Sequence, residues 1–130
     1  MTLIRYGWFA SHSGFQLPWK VDCDALSDDD LTGLAKIIRG KFAFSQVVGV
    51  PRGGTRLAKA LAPYAEPLTN YPTLIIDDVL TTGQSIQEMR TAHGEHSIGV
   101  VIFARGPCPN WVWPIFTVNE WAQSRGTGLG

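Results

Sequence analysis

Two adjacent aspartates stand just ahead of a turn that is rich in hydroxyl groups. Asp77 and Asp78 follow the apolar run at 74–76, and the turn comes at 81–85 with the sequence Thr-Thr-Gly-Gln-Ser. Neighbouring carboxylates repel each other, so they suit a place where a polyhydroxyl group or a cation lies between them. The turn supplies hydroxyls, a glycine able to adopt positive φ, and backbone N–H groups entering a helix, which together form a phosphate cradle. This segment therefore predicts a ribose phosphate as the ligand.

The rest of the chain alternates predicted strands with predicted helices. Ser27 and the aspartates at 28–30 form an N-cap cluster ahead of an apolar stripe of helical spacing that stops at Gly40. Further helices are predicted at 55–64 and 85–93, with a short helical turn at 119–123. Strands are predicted at 15–21, 44–50, 73–76, 98–104 and 111–117, and the aspartate pair leaves the third of these at its end. This order predicts βαβ units in a three-layer α/β sandwich with a mostly parallel central sheet.

Both Gly-rich turns follow predicted buried strands. The first lies at 51–54 and the second at 81–85. Ligands of parallel α/β sheets bind beyond the carboxyl ends of the strands, so the two turns are expected to meet at one edge of the sheet.

Composition narrows the classes of partner and compartment. The 130 residues suffice for one domain, and 11 Lys and Arg balance 11 Asp and Glu. We therefore expect no long-range attraction to nucleic acid or to an anionic membrane. No apolar run reaches the ~20 residues that span a bilayer, and the amino terminus lacks a secretory signal. Because Cys23 and Cys108 stand alone, we expect neither a disulfide framework nor a zinc site, and the reducing cytoplasm is the expected location.

The run from Leu74 to Ile86 is similar, at essentially every position, to a motif of the type I phosphoribosyltransferases, which binds phosphoribosyl pyrophosphate (PRPP). In that family the acidic pair binds the ribose 2′- and 3′-hydroxyls, and the Thr-Thr-Gly turn holds the 5′-phosphate. The alternative is an ordinary strand, turn and helix with a local Asx turn. The resemblance implies that PRPP is bound by Asp77, Asp78, Val79, Leu80, Thr81, Thr82, Gly83, Gln84 and Ser85.

The first Gly-rich turn resembles the pyrophosphate loop of the same family. Two adjacent glycines let backbone amides approach a diphosphate closely, and an arginine offsets part of its charge. Taken alone, such a turn is most often only a turn, but here it precedes the PRPP motif by one βα unit. The resemblance implies a pyrophosphate loop made of Val50, Pro51, Arg52, Gly53 and Gly54.

The amino-terminal stretch at 7–22 resembles the hood of the orotate phosphoribosyltransferases. Where the hood carries a lysine, a tyrosine and an aromatic residue, this chain has His12, Trp19 and Lys20. The resemblance implies that these three residues, with Arg105 after the third buried strand, face the base, although the departures leave its identity open. The alternatives are a covering hairpin without ligand contact and a solvated Arg105. We expect a hood at 1–26 and a core at 27–130 within one compact domain.

A mobile basic loop of the orotate enzymes has no counterpart in this sequence. Residues 65–73 join the second predicted helix to the motif strand and contain no lysine, arginine or histidine. Cleaving the C1–O bond of PRPP develops positive charge on the ribose and leaves a pyrophosphate, which Mg²⁺ and fixed cations stabilise. The resemblance implies Mg²⁺ as cofactor, reached by Asp77 and Asp78 through PRPP, and makes Asp77, Asp78 and Arg52 the catalytic candidates.

Three functions are consistent with these features. The first is transfer of the phosphoribosyl group to a nucleobase, with orotate as the leading candidate. The second is binding of PRPP or a nucleoside monophosphate without catalysis, which the missing loop favours. The third is a plain α/β interaction domain. A homodimer is expected, because the family is dimeric and five tryptophans are hard to bury in so small a domain.

Overall fold

The computed structural model describes the backbone of residues 4–10 and 16–117 and the side chains of residues 22–117. His12, the turn predicted before the first strand and the helical turn predicted at 119–123 lie outside the described residues, as do the side chains of Trp19 and Lys20. The elements follow in this order: β1 (Ile4–Ala10), β2 (Gln16–Val21), a 3₁₀ turn (Cys23–Ala25), α1 (Asp28–Lys41), β3 (Gln46–Gly49), α2 (Thr55–Leu61), a second 3₁₀ turn (Ala62–Tyr64), β4 (Thr73–Leu80), α3 (Gln84–His93), β5 (Ser97–Ala104) and β6 (Val112–Thr117).

The strands form two separate sheets. β1 and β2 pair in an antiparallel hairpin, whereas β3, β4, β5 and β6 lie side by side in that order and all run parallel. The predicted parallel α/β architecture is confirmed. No helix among the described residues is long and apolar enough to cross a bilayer.

Local interactions explain where α1 begins. The Ser27 hydroxyl accepts a hydrogen bond from the Asp30 amide at 3.0 Å, and the Ser27 amide donates to the Asp30 carboxylate at 2.9 Å. This reciprocal capping box satisfies two N–H groups that a helix start leaves without partners. The helix ends at Lys41, one residue beyond the predicted end, and its buried face carries Leu31, Leu34, Ala35 and Ile38.

Helices cover both faces of the parallel sheet. α1 and α2 pack on the face that carries Leu74 and Ile76 of β4, while Ile86 of α3 packs on the face that carries Ile75. The β3–α2–β4 and β4–α3–β5 connections move in the same direction across the sheet but use opposite faces. They therefore have opposite hands, and since nearly all such crossovers are right-handed, one of the two is exceptional.

Three predicted boundaries were wrong. The strand expected at 44–50 is only β3 (Gln46–Gly49), because pairing with β4 begins at Gln46. Phe44 precedes that pairing and is buried in the core. The helix expected at 55–64 becomes a 3₁₀ turn after Leu61, where Pro63 has no N–H to continue the ladder. The strand expected at 73–76 continues to Leu80, because β5 still pairs with it after β3 has ended.

Candidate functional site

The two aspartates lie inside β4 rather than after it. Pairing between β3 and β4 ends at Gly49 and Ile76, whereas pairing between β4 and β5 continues to Leu80 and Ala104. Asp77 and Asp78 therefore occupy the one stretch of β4 that has β5 on one side and no β3 on the other. The prediction that the pair leaves the strand is wrong, although the pair does lie at the carboxyl end of the sheet.

The carboxylates of Asp77 and Asp78 are half-buried and hydrogen-bonded to each other. Burial raises the pKa of Asp77 to about 8, and the side-chain hydrogen bond and the negative charge of Asp78 raise it further. The hydrogen bond from the Asp78 amide acts in the opposite direction and lowers this pKa. That amide donates to Asp77 Oδ1 at 2.8 Å, and the Val79 amide donates to Asp78 Oδ1 at 2.7 Å. The two groups thus form one acidic pair, in which burial and the neighbouring charge favour the protonated form of Asp77.

The first Gly-rich turn packs directly onto this acidic pair. A Cβ atom on Gly53 would overlap the Asp78 carboxylate, and one on Gly54 would overlap the carbonyl oxygen of Ile76. The Val50 amide donates to that same carbonyl at 2.7 Å, and the Gly54 amide donates to Val50 O at 2.9 Å. Only glycine fits at positions 53 and 54, and the sequence places it there.

Arg52 lies at the exposed outer side of this turn. Its carbonyl accepts hydrogen bonds from the amide and hydroxyl of Thr55, at 3.3 and 2.7 Å, and the Pro51–Arg52 peptide bond is cis. Its side chain forms no ion pair within residues 22–117. The guanidinium is therefore available to an anion that lies against the turn.

The second Gly-rich turn presents open amides. Gly83 has φ of +81°, as predicted for the turn, and leads into α3. Within the described part of the chain, only the Gln84 amide of the turn donates to a protein acceptor, the Thr82 hydroxyl at 3.3 Å. The amides without such an acceptor are those of Thr81, Thr82, Gly83 and Ser85. Free amides at the positive end of a ten-residue helix suit a phosphate.

Core side chains anchor this turn on both sides. Leu80 is 3% exposed and Ile86 is 1% exposed, and both belong to the apolar cluster under α3. Val79 packs against the cluster on the other face. The side chains of Val79 and Leu80 therefore pack against the core, with Leu80 buried and Val79 half-buried.

Arg105 lies beside the end of β4. Its amide donates to Leu80 O at 3.0 Å, and its side chain is buried, which lowers the pKa of the guanidinium. The solvated alternative for this arginine is wrong. Contact between Arg105 and a base stays a prediction, as it does for His12, Trp19 and Lys20.

Cys23 is a neighbour of the acidic pair that the sequence did not suggest. Burial raises the pKa of its thiol to about 12, helped first by the charge of Asp78 and then by the charges of Asp22, Asp24 and Asp77. The segment that links the hairpin to α1 therefore passes close to the pair. No local pattern signals this, because 55 positions separate Cys23 from Asp78 in the chain.

Searches for relatives were made by sequence and by structure. No family model and no curated protein matches the sequence. Among solved structures, the orotate phosphoribosyltransferase of Aeropyrum pernix superposes with a TM-score of 0.69 at 20% identity, covering 95% of this chain and 93% of that one. The orotate phosphoribosyltransferase of Mycobacterium tuberculosis H37Rv superposes with a TM-score of 0.60 at 15% identity, covering 88% of this chain and 89% of that one. The orotate phosphoribosyltransferase of Francisella tularensis superposes with a TM-score of 0.58 at 14% identity, covering 96% of this chain and 85% of that one. The chain has the fold of the orotate phosphoribosyltransferases.

The orotate phosphoribosyltransferase fold places the candidate residues at the carboxyl ends of β3 and β4. Across residues 22–117 there is no cluster of three or more His, Cys, Asp or Glu side chains able to hold a metal. Mg²⁺ is commonly held by one or two carboxylates together with substrate oxygens and water. The acidic pair of Asp77 and Asp78 fits that pattern, since it supplies two carboxylates and leaves the remaining positions to a ligand.

Proposed function

We propose that this chain is a phosphoribosyltransferase that binds PRPP with Mg²⁺ and transfers the 5-phosphoribosyl group to a nucleobase, with orotate as the leading candidate. The observation that carries the proposal is the contact between Gly53 and the Asp78 carboxylate. It brings the first Gly-rich turn against the acidic pair, while the open amides at 81–85 follow the pair along the same strand. A ribose phosphate with a diphosphate at C1 matches three such neighbouring features.

Each feature has a separate task in the proposed site. The open amides of the 81–85 turn bind the 5′-phosphate, since they have no acceptor among the described residues and lie at the positive end of α3. The acidic pair accepts hydrogen bonds from the ribose hydroxyls, and the raised pKa of Asp77 favours its neutral form, which reduces repulsion between Asp77 and Asp78. Mg²⁺, when bound, would neutralise charge on the leaving pyrophosphate.

Charge stabilisation by Arg52 is the main contribution that the chain makes to the chemical step. The C1–O bond to pyrophosphate breaks as a base nitrogen forms the new bond to C1, so negative charge accumulates at the first Gly-rich turn. Arg52 lies there unpaired within the described side chains and can stabilise that charge. No protein nucleophile is required by this reaction.

We infer that the basic lid expected of an orotate enzyme is shortened or absent in this chain. Residues 65–72 run from the second 3₁₀ turn to β4 through a short turn held by Glu66 and Thr69, without lysine, arginine or histidine. The opposite hands of the two crossovers support the loss of a strand between α2 and β4. If an additional strand lay beside β3, on the side away from β4, the chain would run from β3 to that strand and then from that strand to β4. Both of these connections could then be right-handed.

Turnover is the direct test of the proposal. The wild-type chain and the double variant with Asp77→Asn and Asp78→Asn are each incubated with PRPP, Mg²⁺ and orotate. The orotidine monophosphate formed by each protein is then measured. The matched control is Asp29→Asn, which removes an exposed carboxylate from α1. We expect product with the wild type and the control and at least a 100-fold loss in the double variant. A folded chain without turnover on orotate, uracil or purine bases would refute the transferase.

Binding without catalysis is the second candidate, and the absence of a basic lid favours it. Calorimetry that detects PRPP binding, abolished by the double variant but without product from any base, would select a sensor or regulatory protein. If PRPP and Mg²⁺ leave the thermal stability of the wild type and the double variant unchanged, both candidates fail. The chain would then be an interaction domain.

A further inference from the structure

A second concave surface lies at the opposite end of the sheet from the proposed PRPP site. This cavity has a volume of about 500 Å³ and lies where α1 ends, where the chain enters β3 and where the second 3₁₀ turn ends. The four residues of β3 separate it from the first Gly-rich turn, a distance of about 13 Å at 3.3 Å per residue. A ligand in the cavity therefore cannot touch the acidic pair.

Two cations line the cavity, and both are free of ion pairs among the described side chains. Arg39 and Lys41 come from the last turn of α1, and neither forms an ion pair with a residue of the 22–117 segment. The guanidinium carbon of Arg39 lies 4.7 Å from the centre of the Tyr64 ring. This cation–π contact holds the side chain in place before any ligand arrives, so little ordering is needed on binding.

The remaining walls of the cavity are aromatic and hydrogen-bonding. Phe44 is 2% exposed and forms an apolar base, and Phe42 is half-buried with its ring 6.0 Å from that of Trp113. Glu66 lines the cavity as its one carboxylate, fixed through its amide, which donates to Phe44 O at 2.9 Å. Cations, aromatic side chains and a carboxylate thus line one space.

We propose that this cavity binds a nucleoside monophosphate, as a site separate from the PRPP site. The phosphate lies between Arg39 and Lys41, because a dianion neutralises both cations. The base lies against Phe42, since the Tyr64 ring is already covered by Arg39, and Glu66 accepts a hydrogen bond from an N–H group of the base. A volume of about 500 Å³ falls within the usual range for small-ligand sites of about 300–1,000 Å³.

The site is tested by amide chemical-shift mapping of the ¹⁵N-labelled full chain. Uridine 5′-monophosphate and adenosine 5′-monophosphate are titrated into the wild type and into the variant with Asp77→Asn and Asp78→Asn. We expect shifts at 39–44 and 64–66 in both proteins, with the same affinity. Arg39→Gln is expected to weaken binding by about tenfold or more. Lys36→Gln, an exposed lysine of α1 outside the cavity, should leave it unchanged.

Four results would overturn this assignment. Shifts confined to the 81–85 turn would mean that the nucleotides use only the PRPP site. If inorganic phosphate bound the cavity as tightly as the nucleotide, the base would make no contribution to binding. If uridine bound as tightly as the nucleotide, the phosphate would make none. Equal affinity of Arg39→Gln and the wild type would show that the cation does not hold the phosphate. Because the Asp77 and Asp78 variant binds nucleotide in this proposal, failure here is independent of the transferase.

Discussion

Replacing Gly53 with alanine tests whether the two turns and the acidic pair form one site. The added methyl group would overlap the Asp78 carboxylate. Restoring ordinary contact requires the turn and the carboxylate to separate by about 1 Å or more. A displacement of that size at reacting groups typically costs about 100-fold, so we expect PRPP affinity or turnover to fall by about 100-fold, or about 2.8 kcal/mol.

The same substitution has a measurable effect on stability. Overpacking of this kind lowers the free energy of unfolding by about 1–3 kcal/mol. Gly33→Ala is the matched control, because its methyl group meets nothing within 4 Å and lies within α1. We expect the control to bind PRPP normally and to gain about 0.5–1 kcal/mol in urea unfolding. Wild-type PRPP binding by Gly53→Ala at wild-type stability would refute the geometry of the site.

Three further predictions concern the turn, the acidic pair and the exposed arginine. Gly83→Ala forces a φ of +81° on alanine, so its free energy of unfolding should fall by about 1–2 kcal/mol in urea titrations. Because the pKa of Asp77 is raised to about 8 on folding, the native state holds a proton that the unfolded chain has lost, so stability falls as pH rises from about 4 to 8. Asp77→Asn should therefore gain melting temperature relative to wild type as pH increases, and parallel profiles would contradict this. Arg52→Gln should lower kcat about 10- to 100-fold without changing the fold, whereas Lys59→Gln, exposed on α2, should not.

The connections between the strands bear on the rate expected for the proposed reaction. A direct connection from α2 to β4 leaves β3 as an edge strand of four residues. Arg52 is the one cation within the first Gly-rich turn at 51–54, and it is exposed. If turnover is slow, the reason is expected to be the small positive charge around the pyrophosphate rather than the ribose-phosphate half of the site.

Local chemistry in the sequence determined the individual elements. The capping box of Ser27 and Asp30 and the apolar stripe that follows are contained in a few neighbouring residues, so α1 could be predicted nearly to its ends. Gly83 with its flanking hydroxyls likewise predicted the positive φ and the helix that begins at Gln84. These features depend on interactions within one turn of chain, which a sequence displays directly.

Only the tertiary structure decided how those elements meet. The length of β4 depends on β5 still pairing after β3 ends, and that difference between two neighbours is invisible in the β4 sequence. The contact of Gly53 with Asp78 and the influence of Asp78 on Cys23 join residues that lie far apart in the chain, and the raised pKa of Asp77 depends on burial. Distances across a sheet and the dielectric around a carboxylate are set by packing of the whole chain. For that reason the sequence could predict a ligand class, which stays a prediction, while only the structure could show which candidate groups lie together.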